Sequence, residues 1–286
     1  MLSLLKKHSD SELRICTSRR TPLFSRSAWS VVHGYYKRTA PRLVFRRPLV
    51  IEPELPLISF TFDDFPRTAL TAGGAILNRY CLSGTYYTCL GLLGKDSPSG
   101  PICDREDLRG LLTNGHELAC HTFSHCHSWE TDGAAFEKSL MQNRLAVAEL
   151  ELGTALKSFS YPICEPRPMT KHRVAPYFLS CRGGGQRINA GTVDLNLLSA
   201  YFLEKSRDRI QSVRDVIDEN RVARGWLIFA THDVSHIPSP FGCTPGFFEN
   251  VVTYAIDSGA RIIPVVKALE MLCAPGAAIS TRPSTA

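Results

Sequence analysis

The chain of 286 residues has no long apolar run. No stretch approaches the roughly 20 apolar residues that a membrane-spanning helix requires. Met1–Lys7 is too short for the apolar core of a secretory signal. Cytoplasmic residence is the expectation that follows. Ten cysteines are present, but no two stand as a Cys-x-x-Cys pair. Several lie inside apolar segments, such as Cys120 after Ala119 and Cys181 after Ser180. Reduced and mostly buried thiols are therefore expected rather than a disulfide framework. There is no internal repeat, and nothing in the chain codes for nucleic-acid readout.

Charge is unevenly spread. The net charge of +6 divides into +9 over residues 1–50, with eleven Lys/Arg against Asp10 and Glu12, and −3 over the remainder. Three readings of that leader stand open. It can be a weakly ordered extension, a surface for an anionic partner or membrane, or a targeting segment. The expected organisation is a basic, weakly ordered extension over 1–50, a folded domain over 51–273 and a disordered Ala/Ser/Thr/Pro-rich tail over 274–286. With 44% hydrophobic and 21% charged residues, a core of ordinary size is possible.

Beyond the proline-rich linker Pro48–Pro56, strands and helices alternate. Leu57–Phe62, Gly84–Thr88, His116–Cys120, Leu156–Tyr161 and Trp226–Thr231 read as strands, with Tyr177–Cys181 and Leu197–Tyr201 as shorter candidates. Thr68–Tyr80, Asp104–Asn114, Thr131–Leu152, Asp208–Arg224 and Phe247–Ser258 read as helices, several closed by a following glycine. This alternation predicts an α/β fold with a parallel sheet or barrel. In such folds chemistry gathers at the carboxyl ends of strands. Asp63 and Asp64, His121, Pro162 and His232 each follow a predicted strand.

These residue types suit metal-assisted hydrolysis. His121 and His125 are four apart, a spacing suited to one face of a helical turn and to joint metal ligation. Asp63-Asp64 could instead be an ordinary turn or helix cap, but a turn at Phe65-Pro66 would carry both carboxylates to one rim. Cys126 and His127 nearby leave room for a structural Cys/His zinc site, although no second pair at suitable spacing completes it. His232, beside Asp233, can transfer protons or can be a satisfied core histidine.

Taken together, the motifs resemble the NodB-homology polysaccharide deacetylases (carbohydrate esterase family 4). The matching segments are Thr61–Asp64, Gly115–His125 and Leu227–His232, and the resemblance spans roughly residues 55–272. It implies a distorted (β/α) barrel of about seven parallel strands. It also implies hydrolysis of N-acetyl groups on GlcNAc-containing oligo- or polysaccharides, with acetylated carbohydrate as the partner. Asp63 would be the general base and His232 the general acid. Asp64, His121 and His125 would hold one divalent metal, with zinc expected. Pro162 and Ile163 would line the oxyanion position. O-deacetylation of a glycan and noncatalytic carbohydrate binding remain alternatives. The third motif departs from the family: Phe159–Cys164 has Ser160 where members often carry the arginine that orients the base. Arg182, after the next strand, is the candidate to replace it. No Asp-x-Trp element is found to orient the acid, leaving Asp194 and Asp215 as candidates.

Overall fold

The structure, a computed structural model, describes residues 28–207 and 209–273. Its centre is a parallel sheet of strands β1 (Leu57–Phe62), β2 (Thr85–Thr88), β3 (Glu117–Cys120), β4 (Ser158–Ser160), β5 (Ser180–Arg182), β6 (Tyr201–Phe202), β7 (Trp226–Thr231) and β8 (Arg261–Ile262). Seven run in the order β6-β7-β1-β2-β3-β4-β5. The eighth, β8, pairs with Leu57 and Ile58 of β1, while β2 takes the same edge further on at Thr61 and Phe62.

The outer edge of β5 is not left open. Leu198 N–H donates to Cys181 O, and Gly183 N–H donates to Leu198 O. That segment runs on into β6, which pairs with β7. The result is the expected distorted barrel, and it explains a displaced boundary. Leu197–Ala200, read from sequence as the start of a strand, serves as this closing edge, and regular β6 begins at Tyr201.

Every residue of β1 and β7 is buried, as continuous apolar strands covered on both faces should be. Ile58, Phe60 and Phe62 pack toward the outer helices, with Phe248 edge-on to Phe60 at 5.4 Å between centroids. Leu57, Trp226 and Ile228 join a second cluster closed by helix Val265–Leu272. The polar members of these strands are satisfied in place. Thr61 Oγ1 donates to Phe229 O at 2.8 Å, and Trp226 Nε1 donates to Ser59 Oγ at 3.0 Å.

The predicted helices appear, four with trimmed ends and the last starting two residues earlier than read. They are Ala69–Arg79, π-type through Gly74, Arg105–Thr113, Gly133–Glu149, Ile210–Ala223 and Pro245–Asp257. Asp104 and Asp107 form a capping box, which fixes the start of Arg105–Thr113.

Residues 28–50 differ from the weak order expected of the leader. Ala28–Leu43 is a helix, and Pro48–Ile51 pairs antiparallel with Gly191–Asp194. The buried Lys171 donates to Pro41 O at 2.7 Å, to Val44 O at 2.8 Å and to Asp194 Oδ2 at 2.5 Å. Arg47 donates to Leu179 O at 2.7 Å. Basic side chains thus satisfy free carbonyls here, a use that a count of charges does not reveal. The expectations for residues 1–27 and 274–286 lie outside the described residues. Among the described residues, no helix is long and apolar enough to cross a membrane.

Candidate active site and metal centre

The carboxyl ends of β1, β3, β4, β5, β6 and β7 open into one cavity of 860 Å³. It is lined by Asp63, Asp64, His121, His125, Ile163 and His232. Three loops are bent sharply to bring these groups together. Among the described residues, six of the eleven non-glycine residues with positive φ lie in them: Asp64, Phe65, Thr122, His125, Ile163 and Cys164. Such backbone is costly away from glycine and concentrates where function over-determines geometry.

Asp63 and Asp64 face different partners. Asp63 is buried and ion-paired through Oδ1 with Arg182 Nη2. The same guanidinium donates to Ser160 Oγ at 2.7 Å and lies 4.8 Å from the centre of the Tyr87 ring. Arg182 therefore reaches back to the carboxylate, as the sequence suggested. Burial pushes the Asp63 carboxyl up, but Arg182, then His121 and His232, outweigh it and leave it below its ordinary value.

Asp64 instead turns to the imidazoles. Its Oδ1 is 3.3 Å from His125 Nε2 and 3.6 Å from His121 Nε2. One donor atom from each residue lies within 4.8 Å of the other two, the one such cluster among the described residues. His121 Nδ1 sits 2.8 Å from Ser160 O, which can only accept, so the free Nε2 lone pair points at Asp64. Burial pushes His121 down to about 4, keeping it neutral. Asp64 Oδ1 is buried without a hydrogen-bond donor. The neutral His121 ring, the His125 imidazole beside it, an unsatisfied carboxylate oxygen and a backbone carbonyl behind one ring fit a divalent metal of the zinc class.

His121 and His125 do not share a helical turn. Loop residues Thr122 (φ 63°) and His125 (φ 52°) fold the chain back instead. Among the described residues no Cys/His cluster forms; His127 Nδ1 instead lies 3.7 Å from Glu130 Oε1.

His232 Nε2 lies 3.9 Å from Asp64 Oδ2, and its Nδ1 is buried with no partner. Asp233 turns away to accept from Ser239 N at 2.9 Å. Neither candidate orienting acid reaches the imidazole. Asp194 is held by Lys171, and Asp215 is exposed and accepts from Gln211 at 2.8 Å. The acid that sequence reasoning missed is Glu204, which lines the cavity just after β6. Burial raises its carboxyl, opposed in part by the charge of His232, and its Oε2 has no partner. Its place at a strand's carboxyl end was the available signal, hidden because β6 has only two residues.

Ile163, exposed at φ 61°, lines the cavity with the donor trio, whereas Pro162 is buried beneath it and is not part of the lining.

This barrel is shared with carbohydrate esterases of family 4. A family 4 acetyl xylan esterase from Clostridium thermocellum, solved with a cobalt ion, is 24% identical over 76% of this chain and 91% of that one, with a TM-score of 0.53. A chitin deacetylase from Colletotrichum lindemuthianum is 13% identical over 77% and 89%, with a TM-score of 0.56. A family 4 pseudoenzyme from Bacillus anthracis is 9% identical over 77% and 68%, with a TM-score of 0.51. These likenesses establish the fold. No curated protein matches the chain significantly. Residues 51–175 match the family model described as polysaccharide deacetylase. That match contains Asp63, Asp64, His121, His125 and Ile163; Arg182, Glu204 and His232 lie beyond it.

Proposed function

We propose that this protein is a metal-dependent N-deacetylase acting on a GlcNAc-containing glycan. The observation that carries the reading is the divided pair: Asp64 faces His121 and His125, while Asp63 is held apart by Arg182. A carboxylate kept ionised beside a ligand set is what a general base needs.

When bound by Asp64, His121 and His125, a divalent metal, with zinc expected, supplies Lewis acidity toward the acetyl carbonyl and eases deprotonation of water. Asp63 takes the proton of the attacking water as the new C–O bond forms. Arg182 is its positioning residue. The backbone N–H of Ile163 is the donor assigned to the developing oxyanion. His232 protonates the amine nitrogen as the C–N bond breaks, leaving acetate and a free amine. Glu204 is the positioning residue assigned to His232, because each has a buried unpaired atom in the same cavity.

The second reading is O-deacetylation. It draws on the unpartnered Nδ1 of His232, since an alkoxide leaving group asks less of an acid. Acetate release from chitotriose and from acetylated xylan, with added zinc and with chelator, tests both. Release from chitotriose that stops with chelator supports the proposal. Release from xylan alone selects the ester. No metal-dependent release from either would leave a noncatalytic carbohydrate-binding protein.

A further inference from the structure

One wall of the cavity does not come from the barrel. Helix Ala28–Leu43 lies along it and contributes Lys37, Arg38 and Arg42. Lys205 faces the same cavity from the segment after β6, 5.3 Å above the Phe202 ring. Arg187 is close enough to Arg42 that, after burial, its charge helps lower the Arg42 guanidinium. Among the described residues, none of these five cations has a carboxylate within 4.0 Å.

Two of the four acids that line the cavity are committed elsewhere: Asp63 is paired with Arg182 and Asp64 faces the imidazoles. Glu165 and Glu204 remain against the four lining cations, and the charge of Lys205 acts on Glu204. Like charges gathered on a cleft wall are unfavourable unless an anion joins them.

The wall is also built into the fold. Lys171 fastens the helix's last turn through Pro41 O and Val44 O, and Asp194 fixes Lys171 in turn. Opposite Arg42, Gly184 and Gly185 line the cavity with bare backbone. A Cβ at Gly185 (φ 148°) would stand 3.4 Å from Arg42 Nη2 and 2.9 Å from Ser199 Oγ, so a side chain there would crowd the guanidinium. The volume of 860 Å³ is near the top of the roughly 300–1,000 Å³ range of ligand pockets, which leaves room beyond one sugar.

We propose that the acetylated sugar carries a phosphate or diphosphate group, bound by Arg42 and Arg38 with Lys37 and Lys205 around it. The inference rests on the deacetylase reading and names its substrate class. Guanidinium forks match phosphate oxygens two at a time. Cations on two sides suit a group of one to two charges with several acceptor oxygens better than a single carboxylate.

The test compares the zinc-loaded full chain on chitotriose, N-acetylglucosamine 1-phosphate and UDP-N-acetylglucosamine. Calorimetric binding of inorganic pyrophosphate runs in parallel. The proposal expects kcat/KM for at least one phosphorylated substrate to exceed that for chitotriose about tenfold or more. In Arg38→Ala/Arg42→Ala that preference collapses and pyrophosphate binding weakens about tenfold or more; Arg42→Lys retains part of both. His125→Ala, lacking a metal ligand, still binds pyrophosphate, which separates the wall from the metal. The two phosphorylated substrates distinguish a sugar phosphate from a diphosphate conjugate. Pyrophosphate binding that is absent, or unchanged in the double variant, overturns the proposal even if chitotriose is deacetylated well. Arginine-dependent pyrophosphate binding without acetate from any substrate sustains the anion site and removes the deacetylase reading instead.

Discussion

Replacing Arg182 with alanine should disable the site through Asp63. Arg182 is 1% exposed in its side chain and Asp63 is 3%, so neither charge is offset by water. The substitution leaves a buried carboxylate alone, and breaking one side of such a pair costs about 3–5 kcal/mol. For a chain of this size that lowers Tm by roughly 10 °C. The catalytic effect is separate. In the wild type Arg182 is the largest influence opposing burial of Asp63. Without it burial raises the carboxyl. The acid limb of the kcat/KM profile should move up, and kcat at neutral pH should fall by about 10²-fold as the base loses its orientation. The stability sign reverses as well. In the wild type the depressed carboxyl adds stability above its unfolded value of 3.8, which is lost as pH falls through the folded value. In Arg182→Ala the raised carboxyl binds a proton more tightly folded than unfolded, so stability falls as pH rises. Acetate release across pH, with denaturant melts at pH 5 and 7, reads both effects. Arg182→Lys, keeping the charge without the fork, should recover part of each. An unchanged kcat and an unmoved acid limb in Arg182→Ala would refute the role.

Three further outcomes follow from other groups. His116 accepts from Gly84 N–H at 3.0 Å, and burial pushes it down to about 4 from 6.5. The unfolded chain therefore takes up a proton first as pH falls from about 6.5 to 4, and up to about 3 kcal/mol is lost in that window; His116→Gln should flatten that part of the urea-denaturation profile. Lys171→Met should strand Asp194 and free the carbonyls of Pro41 and Val44, costing about 3 kcal/mol or more and speeding amide exchange in Ala28–Leu43; unchanged exchange would contradict that anchoring. Glu204→Gln should lower kcat about tenfold while leaving KM nearly unchanged, since the residue is assigned to position His232 rather than to hold substrate; a matching loss of Tm with no change in kcat would indicate a structural role only.

Much of this was legible because the barrel strands announce themselves. Trp226–Thr231 and Leu57–Phe62 are continuous apolar runs, and both were bounded correctly. The polar residues just beyond them include Asp63, Asp64 and His232, so the placement rule located the cavity. Arg182 was also within reach, because it ends the strand beside the one carrying Ser160. What sequence did not disclose depends on loops and long-range donors. The His121–His125 turn follows positive-φ residues rather than a helical period, and Glu204 follows a strand too short to read. The docking of residues 28–50 depends on Lys171, more than a hundred residues away, reaching their carbonyls.

The central claim is that Asp64, His121 and His125 hold the metal on which deacetylation depends. Titrating zinc into chelator-treated protein while measuring acetate release from an N-acetylated glycan that the untreated protein turns over tests it most directly. The account predicts no release before zinc, saturation at one equivalent per chain, and no recovery in His125→Ala at that concentration. Full release from the chelated protein, or the same zinc response in His125→Ala, would contradict it.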